Sequence, residues 1–115
     1  MDRLLTPAEL EVMQALWAAE GTVHEVMAAL PEGRAYTTVA TILRILEQKG
    51  FATSRKDGRR HVFAAAVPRK EYERTSVRDL LSRLFRGDAG ALARHLVEEV
   101  DEGERAAIRK LLGDE

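Results

Sequence analysis

Thr37, Thr41, Arg44 and Gln48 fall on one side of the segment YTTVATILRILEQKG, with Thr38, Ala40 and Ile45 at the margins of that face. The opposite side is apolar, formed by Val39, Leu43 and Leu46 with Ile42 flanking. A polar helical face with nothing to bury against is free to meet a ligand. Hydroxyls at a helix N-terminus donate to phosphate oxygens, and threonine methyls meet thymine methyls in a major groove. Arg44 reaches a guanine edge or a phosphate from the same face. The alternative for the threonines is a capping cluster left in solvent; with a cationic turn close behind, contact with DNA is the better reading. Tyr36 either stacks on the sugar–phosphate backbone or seals the helix entrance. Ile45 either meets a thymine methyl or packs under a strand, and the second is simpler.

The cationic turn is Arg55-Lys56-Asp57-Gly58-Arg59, between the β-compatible runs Phe51–Ser54 and Arg60–Ala65. Asp-Gly between two such runs is a hairpin signal. Lys56, Arg59 and Arg60 at this turn touch phosphates in preference to entering a minor groove, because flexible cations on a short turn give affinity rather than selectivity. The charge pattern agrees. The whole chain carries a net −1. Residues 1–33 hold one basic residue against six acidic ones, a net of −5, whereas residues 34–60 hold seven basic against two acidic, a net of +5. Phosphate attraction follows the local field and not the chain average. A merely solvated charge run is the bland alternative.

Other chemistries find little support. At 115 residues, 45% hydrophobic and 32% charged, the composition is that of an ordinary globular protein. With no cysteine there is no disulfide, thiolate metal site or cysteine nucleophile. His24, His61 and His95 are scattered, without metal-ligand spacing, so no metal and no cofactor are expected. No nucleophile–base pair or phosphate-cradling glycine loop suggests an enzyme. No apolar run spans a bilayer and the N-terminus lacks a signal-peptide core, which points to a cytoplasmic protein with no membrane partner.

The elements that would position these groups are legible. Thr6-Pro7-Ala8-Glu9 is a capping box opening a helix to about Ala19, with Leu10, Met13, Leu16 and Trp17 as its buried stripe. Thr22-Val23-His24-Glu25 opens a second helix in which Val23, Val26, Met27 and Leu30 share a face. The third helix starts near Thr37 as N-cap and ends at Lys49, with Gly50 in the left-handed position after it. Three short helices and a hairpin make a winged helix-turn-helix. The fold class is therefore mainly α with a small β-hairpin: a winged-helix DNA-binding domain over residues 1–66 and a helical dimerisation domain over 67–115. In the second part a helix over 69–86 carries Val77, Leu80, Leu81, Leu84 and Phe85. A further helix carries Leu92, Leu96 and Val100, and a last one, capped by Asp101, carries Ile108, Leu111 and Leu112. These stripes are too few to enclose a core of their own and are best buried against a second copy, making a homodimer.

Three segments together, LTPAELEVMQALW, YTTVATILRILEQKGF and LLSRLFRGDAGALARHLVEE, resemble the penicillinase-repressor family of the BlaI, MecI and CopY type, over nearly the whole length. The resemblance implies a winged-helix domain, a helical dimerisation domain and repression from a palindromic double-stranded operator. It places the base-reading surface on Thr37, Thr38, Ala40 and Thr41 and the wing on Lys56 to Arg60. Two positions depart from the pattern: Ile45 stands where members commonly carry arginine, and Ala40 is smaller than the polar or basic residue of some members. Some members are inactivated at an asparagine–phenylalanine bond under the control of a membrane β-lactam sensor; here that position is His95-Leu96, which leaves a sensor or protease partner open. Copper-sensing members use paired cysteines, which this chain lacks. A winged helix serving only protein–protein contact, without specific DNA binding, is the competing function. It would need no basic face, and the +5 segment argues against it.

Overall fold

Two reciprocal capping boxes set the first two helices. The Thr6 hydroxyl accepts from the Glu9 N–H while Glu9 accepts from the Thr6 N–H, and Thr22 and Glu25 repeat the arrangement. In the computed structural model, which describes residues 4–113, the elements run α1 (Pro7–Ala18), α2 (Val23–Ala29), α3 (Tyr36–Gln48), β1 (Ala52–Asp57), β2 (Arg60–Ala65), α4 (Arg69–Arg83), α5 (Ala89–Glu99) and α6 (Glu102–Leu111). The protein is mainly helical with one small antiparallel sheet, as its sequence suggests. None of these helices is long and apolar enough to cross a membrane.

The chain divides into two units, Met1–Ser76 and Val77–Glu115. The core of the first is built by Val12, Met13 and Leu16 of α1, Val23 and Val26 of α2, Leu30 beyond it, Val39, Ile42, Leu43 and Leu46 of α3, and Phe51, Ala52 and Phe63 of the hairpin. The α1 stripe is rotated from its expected position. Val12 is fully buried, whereas Leu10 and Trp17 are only half-buried, because Glu9, Val12, Met13 and Leu16 form the inner line.

Glu9 is the charged member of that line. Lys49 reaches both of its carboxylate oxygens at 3.0 Å, tying the start of α1 to the end of α3. Burial alone would raise the Glu9 pKa, but the Thr6 N–H, the Lys49 ammonium and the Thr6 hydroxyl together hold it below the usual carboxylate range. A depressed folded-state pKa contributes stability that is present above the unfolded value and lost as pH falls through the folded one. Acidification from pH 6 to pH 3 should therefore destabilise the native chain more steeply than the Glu9→Gln variant. Urea unfolding at the two pH values checks this, and equal slopes would refute it.

The hairpin pairs Ala52 with Ala65 through to Asp57 with Arg60, leaving only Gly58 and Arg59 in the turn. The five-residue turn expected from Arg55 to Arg59 is thus too long, and both strands reach farther. Gly58 has φ +66°, suited to the first central position of a type II′ turn, where a Cβ would be strained. Gly21 adds one rung to the sheet: its N–H donates to Phe63 O (2.9 Å) and its carbonyl accepts from Phe63 N–H (2.8 Å).

The first unit extends past the boundary expected at residue 66. The Trp17 indole donates to Val67 O (2.8 Å), and the Tyr72 hydroxyl accepts from Leu5 N–H (2.9 Å). The Tyr72 ring lies 5.7 Å from that of Trp17 and edge-on to Phe51. The change of character at Val67-Pro68 therefore marks the start of a helix, and the opening turns of α4 still belong to the winged unit.

In the second unit α4 stops at Arg83, short of the expected residue 86. Leu84 to Gly87 form a turn in which Arg86 and Gly87 both take left-handed φ, 49° and 85°. Asp88 caps α5, and Asp101 with Glu104 forms the capping box of α6. The Arg105 guanidinium donates to the carbonyls of Val97 and Val100, satisfying the open end of α5. None of α4, α5 and α6 contains a buried residue. Val77, Leu80, Leu84, Leu96, Leu111 and Leu112 are exposed, while Leu81, Phe85, Leu92, Val100 and Ile108 are half-buried.

Candidate nucleic-acid interface

Four buried residues, Val39, Ile42, Leu43 and Leu46, hold α3 against α1 and α2 and so fix which side faces out. Tyr36, Thr37, Thr38, Thr41, Arg44 and Gln48 are all exposed. Ala40 does not fully join them: it is half-buried and packs against the core. Ile45 is half-buried as well.

The start of α3 differs from the sequence expectation. The helix begins at Tyr36 with Ala35 in the N-cap position, and no side chain caps it, so Thr37 lies within the first turn and is not the N-cap. The first intrahelical bond joins Val39 N–H to Ala35 O. Among the described residues, the preceding N–H groups of this turn have no acceptor, whereas α1, α2, α5 and α6 each have a side-chain cap. The end of a 13-residue helix, with open donors and two free hydroxyls, favours an anion.

His24 supplies a neighbour that sequence periodicity does not reveal. Its ring lies 4.8 Å from the Tyr36 ring, so α2 and α3 place two rings side by side at the edge of this face. The other histidine rings lie elsewhere, His61 stacked on Phe63 and His95 near Phe85. No group of three or more potential metal ligands occurs among the described residues.

The positive block resolves into two populations. Four of its cations are paired with the acidic block that precedes it: Arg34 with Glu11, Lys49 with Glu9, Arg55 with Glu20 and Arg60 with Glu25. The −5 and +5 segments are thus largely each other's partners. Among the described residues, Arg44, Lys56 and Arg59 have no ion pair. On the wing, Arg55 grips Glu20 with two bonds, 3.0 and 2.6 Å, and Arg60 holds Glu25 at 2.9 Å. Arg55 stands directly across from Val62, and Asp57 from Arg60, so the alternation of the strands puts both paired arginines on one face. Lys56 lies opposite His61 on the other face, and Arg59 sits in the turn. The Arg55 hydrogen bonds hold the Glu20 carboxyl below its usual range; for Glu25 the Thr22 N–H is the main cause, with Arg60 adding to it. The pairing of Glu20 with Arg55 and of Glu25 with Arg60 is not legible in the sequence, because the partners lie 35 residues apart.

A helix with open donors and hydroxyls beside a hairpin bearing free cations is the layout of a winged helix-turn-helix. A profile of the penicillinase repressor family matches residues 5–114. The chain belongs to the penicillinase-repressor family. A BlaI transcriptional regulator from Mycobacterium tuberculosis is 34% identical, over 99% of this chain and 88% of its own length. The penicillinase repressors are transcriptional regulators and not enzymes, and the present chain is one of them. Solved structures share the fold at lower identity. One is a possible transcriptional regulator for arsenical resistance, 23% identical, with TM-score 0.60 over 88% of this chain and 99% of that one. Another is the homodimeric winged helix-turn-helix DNA-binding domain of a possible ArsR-family regulator from Mycobacterium bovis, 18% identical, with TM-score 0.56 over 87% and 81% of the two chains.

Proposed function

We infer that the chain is a homodimeric, sequence-specific DNA-binding repressor, acting in the cytoplasm, that occludes a promoter by occupying a palindromic operator. The observation that carries this reading is the outward face of α3, with Thr37, Thr38, Thr41 and unpaired Arg44, set beside a wing that keeps Lys56 and Arg59 free. The face supplies base-edge and phosphate donors; the wing supplies affinity without sequence preference. Two copies would place their recognition helices in major grooves about one helical turn (~34 Å) or a multiple apart. The exposed leucines of the second unit supply a reason for pairing. Specific affinity on the order of 10⁻⁸ M or tighter is expected at moderate salt.

The test compares a duplex selected from a random pool with its scrambled counterpart, titrated at several salt concentrations. The native protein should prefer the selected duplex. Arg44→Ala should lose about ten- to a hundredfold of that preference, the worth of one good base contact. Lys56→Gln with Arg59→Gln should weaken both duplexes alike and flatten the salt slope by about 1.8. Equal binding of both duplexes by the native protein would refute specific recognition, and a loss confined to the selected duplex would refute the assignment of the wing.

A further inference from the structure

The two ion pairs on the wing face need an explanation that folding alone does not supply. All four side chains are exposed, and exposed ion pairs contribute little to stability. Yet Arg55 is held bidentately, the geometry a guanidinium also adopts on a phosphate. Both carboxyls are held below their usual range, Glu20 by the Arg55 hydrogen bonds and Glu25 chiefly by the Thr22 N–H. They come from Glu20 in the connection between α1 and α2 and from Glu25 in the first turn of α2, not from the hairpin itself. The wing strands and turn carry Arg55, Lys56, Arg59 and Arg60 against Asp57. Adding the two glutamates removes most of that excess and leaves Lys56 and Arg59 as the unpaired cations. Val62, which shares the face of Arg55 and Arg60, is 4% exposed without belonging to the core cluster, so the two pairs stand over a closed patch of sheet and not a loose surface.

The geometry points to Glu20 and Glu25 as an electrostatic brake on DNA binding: they occupy Arg55 and Arg60 as phosphates would, and a duplex must displace them before these arginines can add to its affinity. This rests on the DNA-binding reading above and sets how tightly any duplex is held. Counterion release, which drives most non-specific binding, is withheld from two of the wing's cations until the carboxylates yield. The free protein then adheres weakly to arbitrary DNA, and the α3 face decides where it stays.

The experiment titrates native protein, Glu20→Gln with Glu25→Gln, and a control carrying Glu71→Gln with Glu73→Gln in the first turns of α4. The control makes the same change in net charge away from the wing pairs. Glutamine at position 25 preserves the capping box with Thr22, so α2 keeps its start, and circular dichroism melts verify the fold. The brake predicts that E20Q/E25Q binds both the selected and the scrambled duplex about tenfold more tightly at ~0.1 M salt, with log K against log salt steeper by up to about 1.8. The control should stay within about twofold of the native protein. Binding no tighter than the control overturns the brake while leaving DNA recognition intact. Weaker binding also overturns it and makes the pairs a scaffold that holds the wing in place. If none of the three proteins binds either duplex, the DNA-binding reading falls and the brake with it.

Discussion

Replacing Leu80 and Leu84 with aspartate should leave a folded monomer whose affinity for an operator is about 10²- to 10³-fold below that of the native protein. Both leucines are exposed, 41% and 69%, in a unit whose helices bury none of their residues. A carboxylate at either place meets water in the free protomer and costs little there. In a paired state the same carboxylate would be desolvated against apolar neighbours, which is expensive without a partner charge. The loss at the operator follows from linkage of two half-sites: once one recognition helix is seated, the second binds at the effective concentration set by its tether, worth about 10²–10⁴ in avidity. Sedimentation equilibrium gives the mass, and titration of a two-site against a one-site duplex gives the loss. A variant that remains dimeric would show that these leucines are not at the interface. A monomer with undiminished affinity would show that dimerisation does not serve binding.

The second large effect is expected inside the winged unit. Leu43→Ala should destabilise it by about 2–5 kcal/mol, since Leu43 is fully buried among α1, α2 and α3 and truncation leaves a cavity the neighbours fill only in part. In a unit of this size about 1 kcal/mol shifts Tm by roughly 4–8 °C, so the melt should move by about 10 °C or more. Thr41→Ala, on the exposed side of the same helix, should stay within about 0.5 kcal/mol while weakening DNA binding. Differential scanning calorimetry and duplex titration of the two variants thus separate the faces of α3. Equal melting temperatures would mean that Leu43 does not anchor the helix.

What the sequence discloses and what it hides divide along physical lines. The capping boxes at Thr6, Thr22 and Asp101 and the inner face of α3 depend on residues three and four apart, and all are found where local pattern puts them. The start of α3 escapes the same logic. Thr37 has the chemistry of an N-cap, but Tyr36 is already helical with its ring against His24, a contact between elements that no local spacing records. Arg55 and Lys56 have the look of turn residues, yet pairing continues to Asp57 opposite Arg60 and lengthens the hairpin. Charge blocks are visible in a chain, but which carboxylate meets which guanidinium depends on how α1 and α2 lie against the hairpin. The α3 face and the wing cations were therefore legible as candidates, and the division of those cations into held and free was not.

Gly50, with φ +86°, ends α3 sharply: its N–H donates to Glu47 O and the Phe51 N–H donates to Leu46 O. Buried Phe51 then leads directly into β1, and the Ser54 hydroxyl donates back to Glu47 on the helix. Helix α3 and the hairpin are thereby joined through a few covalently adjacent, mutually bonded residues. Against a duplex the two would act as one unit, already shaped before contact. Little conformational entropy then remains to be surrendered on docking, and association of this unit should lack the large heat-capacity signature of segments that fold as they bind.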